Sequence, residues 1–208
     1  MNNLPFMHED EYRFITSFLK KDSTMLEWGS GGSTLYFSKL VKRYYSIEHY
    51  EEWFNRVKTS LELNNIKNVE QIFVSSCPKN WDRPKNWRTI KNFASPTDYF
   101  TDYINHVDQI DEKFDFILVD GRCRTQCAIK SLFHLKQDGV LFFHDFYPRH
   151  EYGYHNVLTF YDEIGGIKHT NQTVIALKKK ERFSNMKKVL ELEQIKKILN
   201  KLQNKIEY

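Results

Sequence analysis

Short apolar runs alternate with amphipathic stretches along most of the chain, from Met25 to Leu177. The apolar runs predict strands, and apolar residues at helical spacing predict helices between them. Strands that alternate with helices form a mostly parallel, doubly wound sheet with helices on both faces. The run from Phe116 to Val119 is apolar at every position, as expected of a strand covered on both faces. The sequence therefore predicts an α/β fold.

The order of the predicted elements can be read from the same pattern. Strands are predicted at 25–28, 43–47, 69–74, 114–119, 140–143 and 173–177. Helices are predicted at 34–41, 50–64, 99–110, 125–135 and 157–164, the first of them capped by Ser33 or Thr34. Residues 75–98 are polar without a clear period, which predicts a long loop.

The length of 208 residues suits one α/β domain, which we expect over residues 1–180 with an N-terminal helix. Residues 181–208 are predicted to form a basic helical tail. From Lys178 to the end there are ten Lys or Arg against four Glu, a local charge of +6 in a chain of net charge +4. This tail carries an apolar seam that could pack in a homodimer or back on the domain. The seam consists of Leu192, Ile195, Leu199, Leu202 and Ile206.

No apolar run is long enough to cross a bilayer, so no membrane insertion is expected. The three cysteines, Cys77, Cys123 and Cys127, cannot form a disulfide framework and are expected to be free thiols of a reducing compartment. The N-terminus has no basic start followed by an apolar core. These features predict a soluble, cytoplasmic protein.

Polar residues and glycines stand wherever a predicted parallel strand ends. In such sheets ligands bind at the carboxyl ends of the strands, near the reversal of strand order. That rule selects Glu27 to Thr34, Glu48, His49, Ser75, Ser76, Asp120 to Arg122, His144 and Asp145.

The first strand and the first helix are joined by Glu27-Trp28-Gly29-Ser30-Gly31-Gly32-Ser33-Thr34. Glycines allow a positive φ and a close approach of ligand to backbone. Glu48, after the second strand, can accept hydrogen bonds from both hydroxyls of a ribose. A dinucleotide site is disfavoured, because Thr34 replaces the third small residue and Glu27 would face a pyrophosphate. Glu27 suits a cationic ligand group instead.

With these residues in register, the chain resembles the class I S-adenosylmethionine-dependent methyltransferases, which have a Rossmann-like fold. Glu27-x-Gly29-x-Gly31 looks like their first motif, Glu48 like their ribose-binding acid, and Asp120 and 139–145 like the ends of their fourth and fifth strands. The segments Val119-Asp120-Gly121-Arg122-x-Arg124 and His144-Asp145-Phe146 look like a little-characterised bacterial-type branch. The resemblance covers residues 20–177.

The resemblance implies S-adenosylmethionine as the cofactor. The residues it places around the cofactor are Glu27, Trp28, Gly29, Ser30, Gly31, Ser33, Thr34, Glu48, His49, Ser75, Asp120 and Gly121. Ser75 or Ser76 would lie near the adenine by position only. His49 would pack beside the adenine, or would be a solvated residue at the end of a strand.

Asp120, His144 and Asp145 are the candidate catalytic residues, since they would lie beside the transferred methyl group. His144 has a suitable ordinary pKa for a general base near neutral pH, and its alternative role is a structural hydrogen bond to backbone. Asp120 and Asp145 could instead hold Mg²⁺ or Mn²⁺, which would lower the pKa of an acceptor hydroxyl. The metal is the less favoured alternative, because the ligand pattern of metal-dependent O-methyltransferases is incomplete here.

Arg122 and Arg124 could bind a carboxylate or phosphate of the acceptor, although Arg122 could equally pair with Asp120 or another nearby acid. In the polar loop, Trp81 and Trp87 each follow Pro-Lys-Asn and could stack on a sugar or a nucleotide, or could anchor the loop.

The sequence thus favours O-methylation of a small polar acceptor, such as a sugar or a glycan unit. An NAD-dependent oxidoreductase is one alternative. The other is a non-catalytic protein that binds nucleic acid through the basic tail, although nucleic acid is not an expected partner.

Overall fold

The computed structural model describes residues 4–75, 96–147, 153–169 and 173–183. Within these residues a seven-stranded sheet has the order β3-β2-β1-β4-β5-β7-β6. The strands are β1 Thr24–Trp28, β2 Arg43–Glu48, β3 Val69–Phe73, β4 Phe114–Val119, β5 Leu135–His144, β6 Tyr161–Lys168 and β7 Thr173–Lys179. The helices are α1 Glu9–Thr16, α2 Gly32–Phe37, α3 Glu51–Leu63, α4 Pro96–Asn105 and α5 Arg124–Ser131.

The first five strands are parallel, with β1 at the centre between β2 and β4. Strand β7 pairs antiparallel with β5, and β6 pairs antiparallel with β7. Strand order reverses at β1, so the carboxyl ends of β1, β2, β4 and β5 meet at one edge. The predicted mostly parallel α/β sheet is confirmed.

Successive residues of β1 supply the two sides of the core, as the two-residue period of a strand requires. Leu26 and Trp28 pack with residues of α4 and α5, whereas Met25 packs with Ile15 of α1 and Phe37 of α2. The side chains of these five residues are fully shielded from solvent. Helices therefore cover both faces of the sheet, as predicted.

The predicted helix at 157–164 is wrong. A 3₁₀ turn spans Tyr154–Thr159, and β6 begins at Tyr161. Most side chains of β6 are exposed or half-buried, and its backbone is paired with β7 from Tyr161↔Lys179 to Lys168↔Thr173. The strand forms because β7 offers its backbone groups, a long-range partner that the local spacing of apolar residues does not reveal.

The predicted cap of α2 is also wrong. The helix begins at Gly32 with Gly31 as its N-cap, and the Gly31 amide donates to the Thr34 hydroxyl at 2.9 Å. The hydroxyls of Ser33 and Thr34 both donate to the Glu27 carboxyl, and the Thr34 hydroxyl takes part in the cap only as the acceptor of the Gly31 amide.

Most of the predicted basic tail, 184–208, lies outside the described residues, as does the homodimer seam. Its first residues, Glu181–Phe183, form a 3₁₀ turn, and the Phe183 ring packs on Phe160 with centroids 5.3 Å apart. Cys123 and Cys127 are free, whereas Cys77 is not among the described residues. In the described part of the chain, every helix is too short or too polar to span a bilayer.

Gly29 and Gly121 bring the ends of β1 and β4 into backbone contact. Gly29 has a φ of 99°, and a Cβ there would lie 2.8 Å from the Cα and N of Gly121. A Cβ on Gly121 would in turn lie 2.1 Å from the Tyr103 hydroxyl and 3.0 Å from the carbonyl oxygen of Trp28. Both positions therefore exclude any side chain.

We expect Gly29→Ala to lower the free energy of unfolding by about 2 kcal/mol or more, through the strained φ and the steric conflict with Gly121. Urea denaturation measures the change. Gly165→Ala is the matched control, because its Cβ would meet only the Phe14 ring, at 3.4 Å. Equal stability of the two variants would contradict the proposed backbone contact.

Candidate functional site

The Glu48 carboxylate connects the loop after β1 with the residues that follow β2. Its Oε2 accepts a hydrogen bond from the Ser30 amide, and its Oε1 accepts from the amides of His49 and Tyr50, all at 2.8 Å. The His49 Nδ1 lies 3.0 Å from the same Oε1. Burial alone would raise the pKa of Glu48, but His49 and the two loop amides outweigh burial and lower it. Glu48 is thus an ionised group that holds both loops.

Aromatic side chains form a wall next to this carboxylate. The His49 ring meets Phe100 and Tyr103 edge to face, with centroid distances of 5.1 and 5.3 Å. Trp53 donates its indole N–H to the carbonyl of Ser30. These contacts keep the His49 side chain largely buried rather than solvated. Ser75, which follows β3 at the same edge of the sheet, is exposed.

Glu27 lies beneath the loop rather than in an open cleft. Its side chain is completely buried, and its two oxygens accept hydrogen bonds from Ser33 and from Thr34, the latter at 2.6 Å. Burial raises the pKa of this carboxyl to about 8, in spite of the two hydroxyl hydrogen bonds, and the negative charge of Asp120 adds to the rise. Without a cation beside it, Glu27 is therefore largely protonated at neutral pH.

Trp28 contributes to the core with its side chain, whose indole N–H donates to the carbonyl of Tyr103 at 3.2 Å. Only its backbone faces the loop, where its carbonyl accepts from the Asp120 amide at 3.0 Å. This hydrogen bond connects the carboxyl end of β1 to that of β4.

Asp120 and His144, at the ends of β4 and β5, form an ion pair. The His144 Nδ1 lies 2.8 Å from Asp120 Oδ1. Burial lowers the pKa of His144, but Asp120, Glu11 and Asp145 outweigh it and raise the pKa to about 10. His144 is thus an imidazolium at neutral pH, and in this state it has no lone pair with which to accept a proton.

Arg124, at the start of α5, holds the remaining groups of this cluster together. Its Nε donates to the carbonyl of Gly121, one terminal nitrogen bonds Asp145 Oδ2 at 3.1 Å and the carbonyl of His144, and the other lies 3.1 Å from Asp120 Oδ1. All three guanidinium nitrogens therefore have partners inside the protein, and the side chain is only 9% exposed.

Asp145 adopts a left-handed backbone conformation, with a φ of 58°. Asp is among the few residues that tolerate this region, which is often found at functional sites. The Asp145 amide donates to the carbonyl of Thr173 at 2.6 Å, so β7 fixes the turn that carries it.

The two carboxylates do not fit a divalent cation in this arrangement. Ligand atoms of Asp120, His144 and Asp145 do lie within 4.8 Å of one another. However, the Arg124 guanidinium bridges both carboxylates, and the His144 nitrogen next to Asp120 is held in an imidazolium. A metal ion would have to displace the Arg124 guanidinium and remove a proton from the His144 imidazolium.

Glu11 is a member of the cluster that the strand-end rule missed. It is completely buried on α1, its Oε2 accepts from the His8 amide at 2.8 Å, and its Oε1 lies 3.6 Å from His144 Nε2. Neither Oε1 nor Nε2 has a hydrogen-bond partner among the described residues. The signal in the sequence was a glutamate one turn before Ile15, on the apolar side of an amphipathic helix. A charged side chain at such a position is costly to bury unless it has a partner.

The residues before α1 cover the start of α2. A Cβ on Gly32 would lie 1.9 Å from the carbonyl oxygen of Leu4 and 3.2 Å from Pro5, so the N-terminal segment rests directly on the glycine loop. The same segment thus contacts the loop through Leu4 and the His144 cluster through Glu11.

Asp120 is the member of the cluster most open to solvent. Its side chain is 25% exposed, against 11% for Asp145 and 5% for His144. Arg122, two residues further along the chain, is exposed. Ser76, Trp81 and Trp87 lie outside the described residues, so the predicted loop contacts stay predictions.

Solved structures with the same fold include several methyltransferases. A methyltransferase-like protein from Silicibacter pomeroyi superposes with a TM-score of 0.65 at 22% identity, over 95% of this chain and 98% of that one. A precorrin-6y C5,15-methyltransferase from Geobacter metallireducens gives 0.59 at 15% identity, over 86% of this chain and 92% of that one. A protein from Streptococcus mutans described as a methyltransferase, solved in complex with SAH, gives 0.55 at 15% identity, over 81% and 95%.

No family model matches the chain, and no curated protein matches it significantly. At these identities the structural likeness establishes the fold, which is the Rossmann-like fold that these methyltransferases share.

We expect Glu27→Gln to flatten the pH dependence of stability. Because folding raises the pKa of Glu27 from 4.5 to about 8, the stability that its proton confers is complete below pH 4.5 and is lost as the pH rises to about 8. Relative to the wild type, the variant should therefore gain roughly 1 kcal/mol per pH unit across this window. Denaturant unfolding at several pH values measures the gain. The exposed Glu62→Gln should run parallel to the wild type, and a Glu27→Gln variant that also did so would refute the buried carboxyl.

Proposed function

We propose that the protein is an S-adenosylmethionine-dependent methyltransferase. The observation that carries the proposal is a single edge of the sheet with two parts. The glycine loop and Glu48 lie at the ends of β1 and β2, and the Asp120–His144 cluster lies beside them at the ends of β4 and β5. The backbone contact between Gly29 and Gly121 joins the two parts.

The first part suits a nucleoside with a methionine arm. Glu48 Oε1 is enclosed by two amides and the His49 ring, whereas Oε2 accepts from the Ser30 amide, so Oε2 is the oxygen that would accept a hydrogen bond from a ribose hydroxyl. His49 and its aromatic neighbours would form one wall for the base. Glu27 would act through Ser33 and Thr34, which shape the loop, and an ammonium group nearby would favour its ionised form.

The cofactor would supply an activated methyl group on its sulfonium. Asp120 would accept a hydrogen bond from the acceptor hydroxyl and take its proton as the methyl group is transferred, since it is the exposed carboxylate of the cluster. His144 and Arg124 would hold Asp120 in place. The role of His144 is then that of an orienting cation rather than a base, because its pKa is about 10.

The acceptor class that this arrangement favours is a small polar molecule with a hydroxyl group, such as a sugar or a glycan unit. Support comes from the two polar side chains that solvent reaches after the end of β4, Asp120 and Arg122. Arg124 would not bind the acceptor, because its guanidinium is used internally.

An NAD-dependent oxidoreductase is disfavoured by the start of α2. A dinucleotide needs a free helix N-terminus for its pyrophosphate. Here α2 is six residues long and Leu4 covers its first turn.

S-adenosylhomocysteine should bind in calorimetry, and Glu48→Gln should weaken binding by about 1–2 kcal/mol, the worth of a charged hydrogen bond. Glu52→Gln, on the exposed side of α3, should bind as the wild type does. Binding of NAD with no binding of S-adenosylhomocysteine would overturn the proposed function.

Asp120→Asn should lower kcat for methyl transfer to a hydroxyl acceptor by about 10²-fold, the usual contribution of a positioned acid or base. The affinity for S-adenosylhomocysteine should change by less than about 1 kcal/mol. Asp162→Asn, an exposed residue of β6, is the control for both measurements. A normal kcat in Asp120→Asn would place the proton acceptor elsewhere.

A further inference from the structure

A second group of ligating side chains lies at the start of α1, outside the cluster at Asp120. His8 and Asp10 flank the first residue of the helix, and His169 follows β6. The three residues come from segments about 160 positions apart in the chain, and they meet because α1 packs against β6. One ligand atom from each lies within 4.8 Å of the other two.

His8 Nδ1 accepts a hydrogen bond from the Asp10 amide at 3.3 Å as the cap of α1, and a metal ion bound at this nitrogen would replace that bond. The distances between the side chains suit coordination better than hydrogen bonding. Asp10 Oδ2 lies 3.5 Å from His8 Nδ1 and 3.5 Å from His169 Nε2. A hydrogen bond between nitrogen and oxygen is shorter, about 2.7–3.2 Å. In tetrahedral zinc sites, where the ligand atoms lie about 2.0–2.2 Å from the metal, the edge between two ligand atoms is roughly 3.3–3.5 Å.

The two imidazoles contact each other, with centroids 3.9 Å apart and planes tilted by 39°, and the rings would have to move apart to share one tetrahedral ion. His169 Nε2 is shielded from solvent and has no hydrogen-bond partner among the described residues. A buried ring nitrogen without such a partner is costly, and a metal ion that shares the Asp10 carboxylate would satisfy it.

We infer that His8, Asp10 and His169 form a binding site for a divalent transition-metal ion, Zn²⁺ in the first place. Imidazole with one carboxylate is a ligand set that Zn²⁺ accepts, and Ca²⁺ and Mg²⁺ prefer oxygen ligands. Three protein ligands leave at least one coordination position open to water.

The ion would join the start of α1 to the end of β6. Asp10 is followed by Glu11, which faces His144, so the site would also fix the segment that covers the glycine loop. Metal binding itself does not depend on the proposed methyltransferase activity and can be tested without a substrate.

The test uses the full-length protein without a histidine tag, stripped of metal by a chelator and dialysed. Titration with Co²⁺ should give the visible absorption of a low-symmetry complex at one equivalent, and Zn²⁺ should displace it. His169→Gln should weaken Co²⁺ binding by at least about 10-fold. His155→Gln removes an exposed histidine elsewhere and should bind Co²⁺ as the wild type does.

If His169→Gln fails to fold, His8→Asn decides the question, because Asn is a good helix cap and keeps the start of α1 while removing the imidazole. Asp120→Asn separates this site from the catalytic cluster and should leave Co²⁺ binding unchanged. The inference is overturned if the wild type binds no stoichiometric Co²⁺, if Co²⁺ binding is unchanged in His8→Asn, or if it is lost in Asp120→Asn.

Discussion

Two strand ends can touch in this fold only because neither carries a side chain at the point of contact. Gly29 and Gly121 place the backbone of the β1 loop against that of the β4 loop, and the Asp120 amide bonds back to Trp28 in the same place. The residues of the candidate functional site lie around this contact. Glu48 draws the β1 loop towards β2, and Arg124 draws the β4 loop towards β5. Close backbone packing is therefore what turns four separate strand ends into one continuous surface.

The buried charged groups beneath that surface compensate one another. Imidazolium and guanidinium groups are buried at His144 and Arg124, which would be prohibitive for isolated ions. They are tolerated because Asp120, Asp145 and Glu11 surround them with negative charge. The same compensation makes a divalent cation redundant between the two aspartates. At Glu27 the buried charge is avoided instead of compensated, because a buried carboxyl without a cationic neighbour keeps its proton.

The sequence predicted those parts of the fold that local pattern determines. Strands such as β4 are apolar throughout, and the residues after them follow from the chemistry of a parallel sheet edge, so the meeting of Asp120 with His144 could be expected. Residues 161–164 form a strand because they pair with β7, and the Ser33 hydroxyl donates to Glu27 instead of capping α2. Glu11 escaped notice because α1 lies before the first strand, where the strand-end rule does not apply. Long-range contacts, which no short window contains, account for each of these differences.

Strand β7 occupies an interior position in the sheet although it comes after β6 in the chain. Until Thr173–Lys179 has been synthesised, β6 has no neighbour and β5 presents an open edge with Leu141, Phe142 and Phe143. Unpaired apolar edges are templates for aggregation. A chain cut short before Thr173 would thus expose that edge to pairing with other strands, whereas β7 closes it in the folded protein.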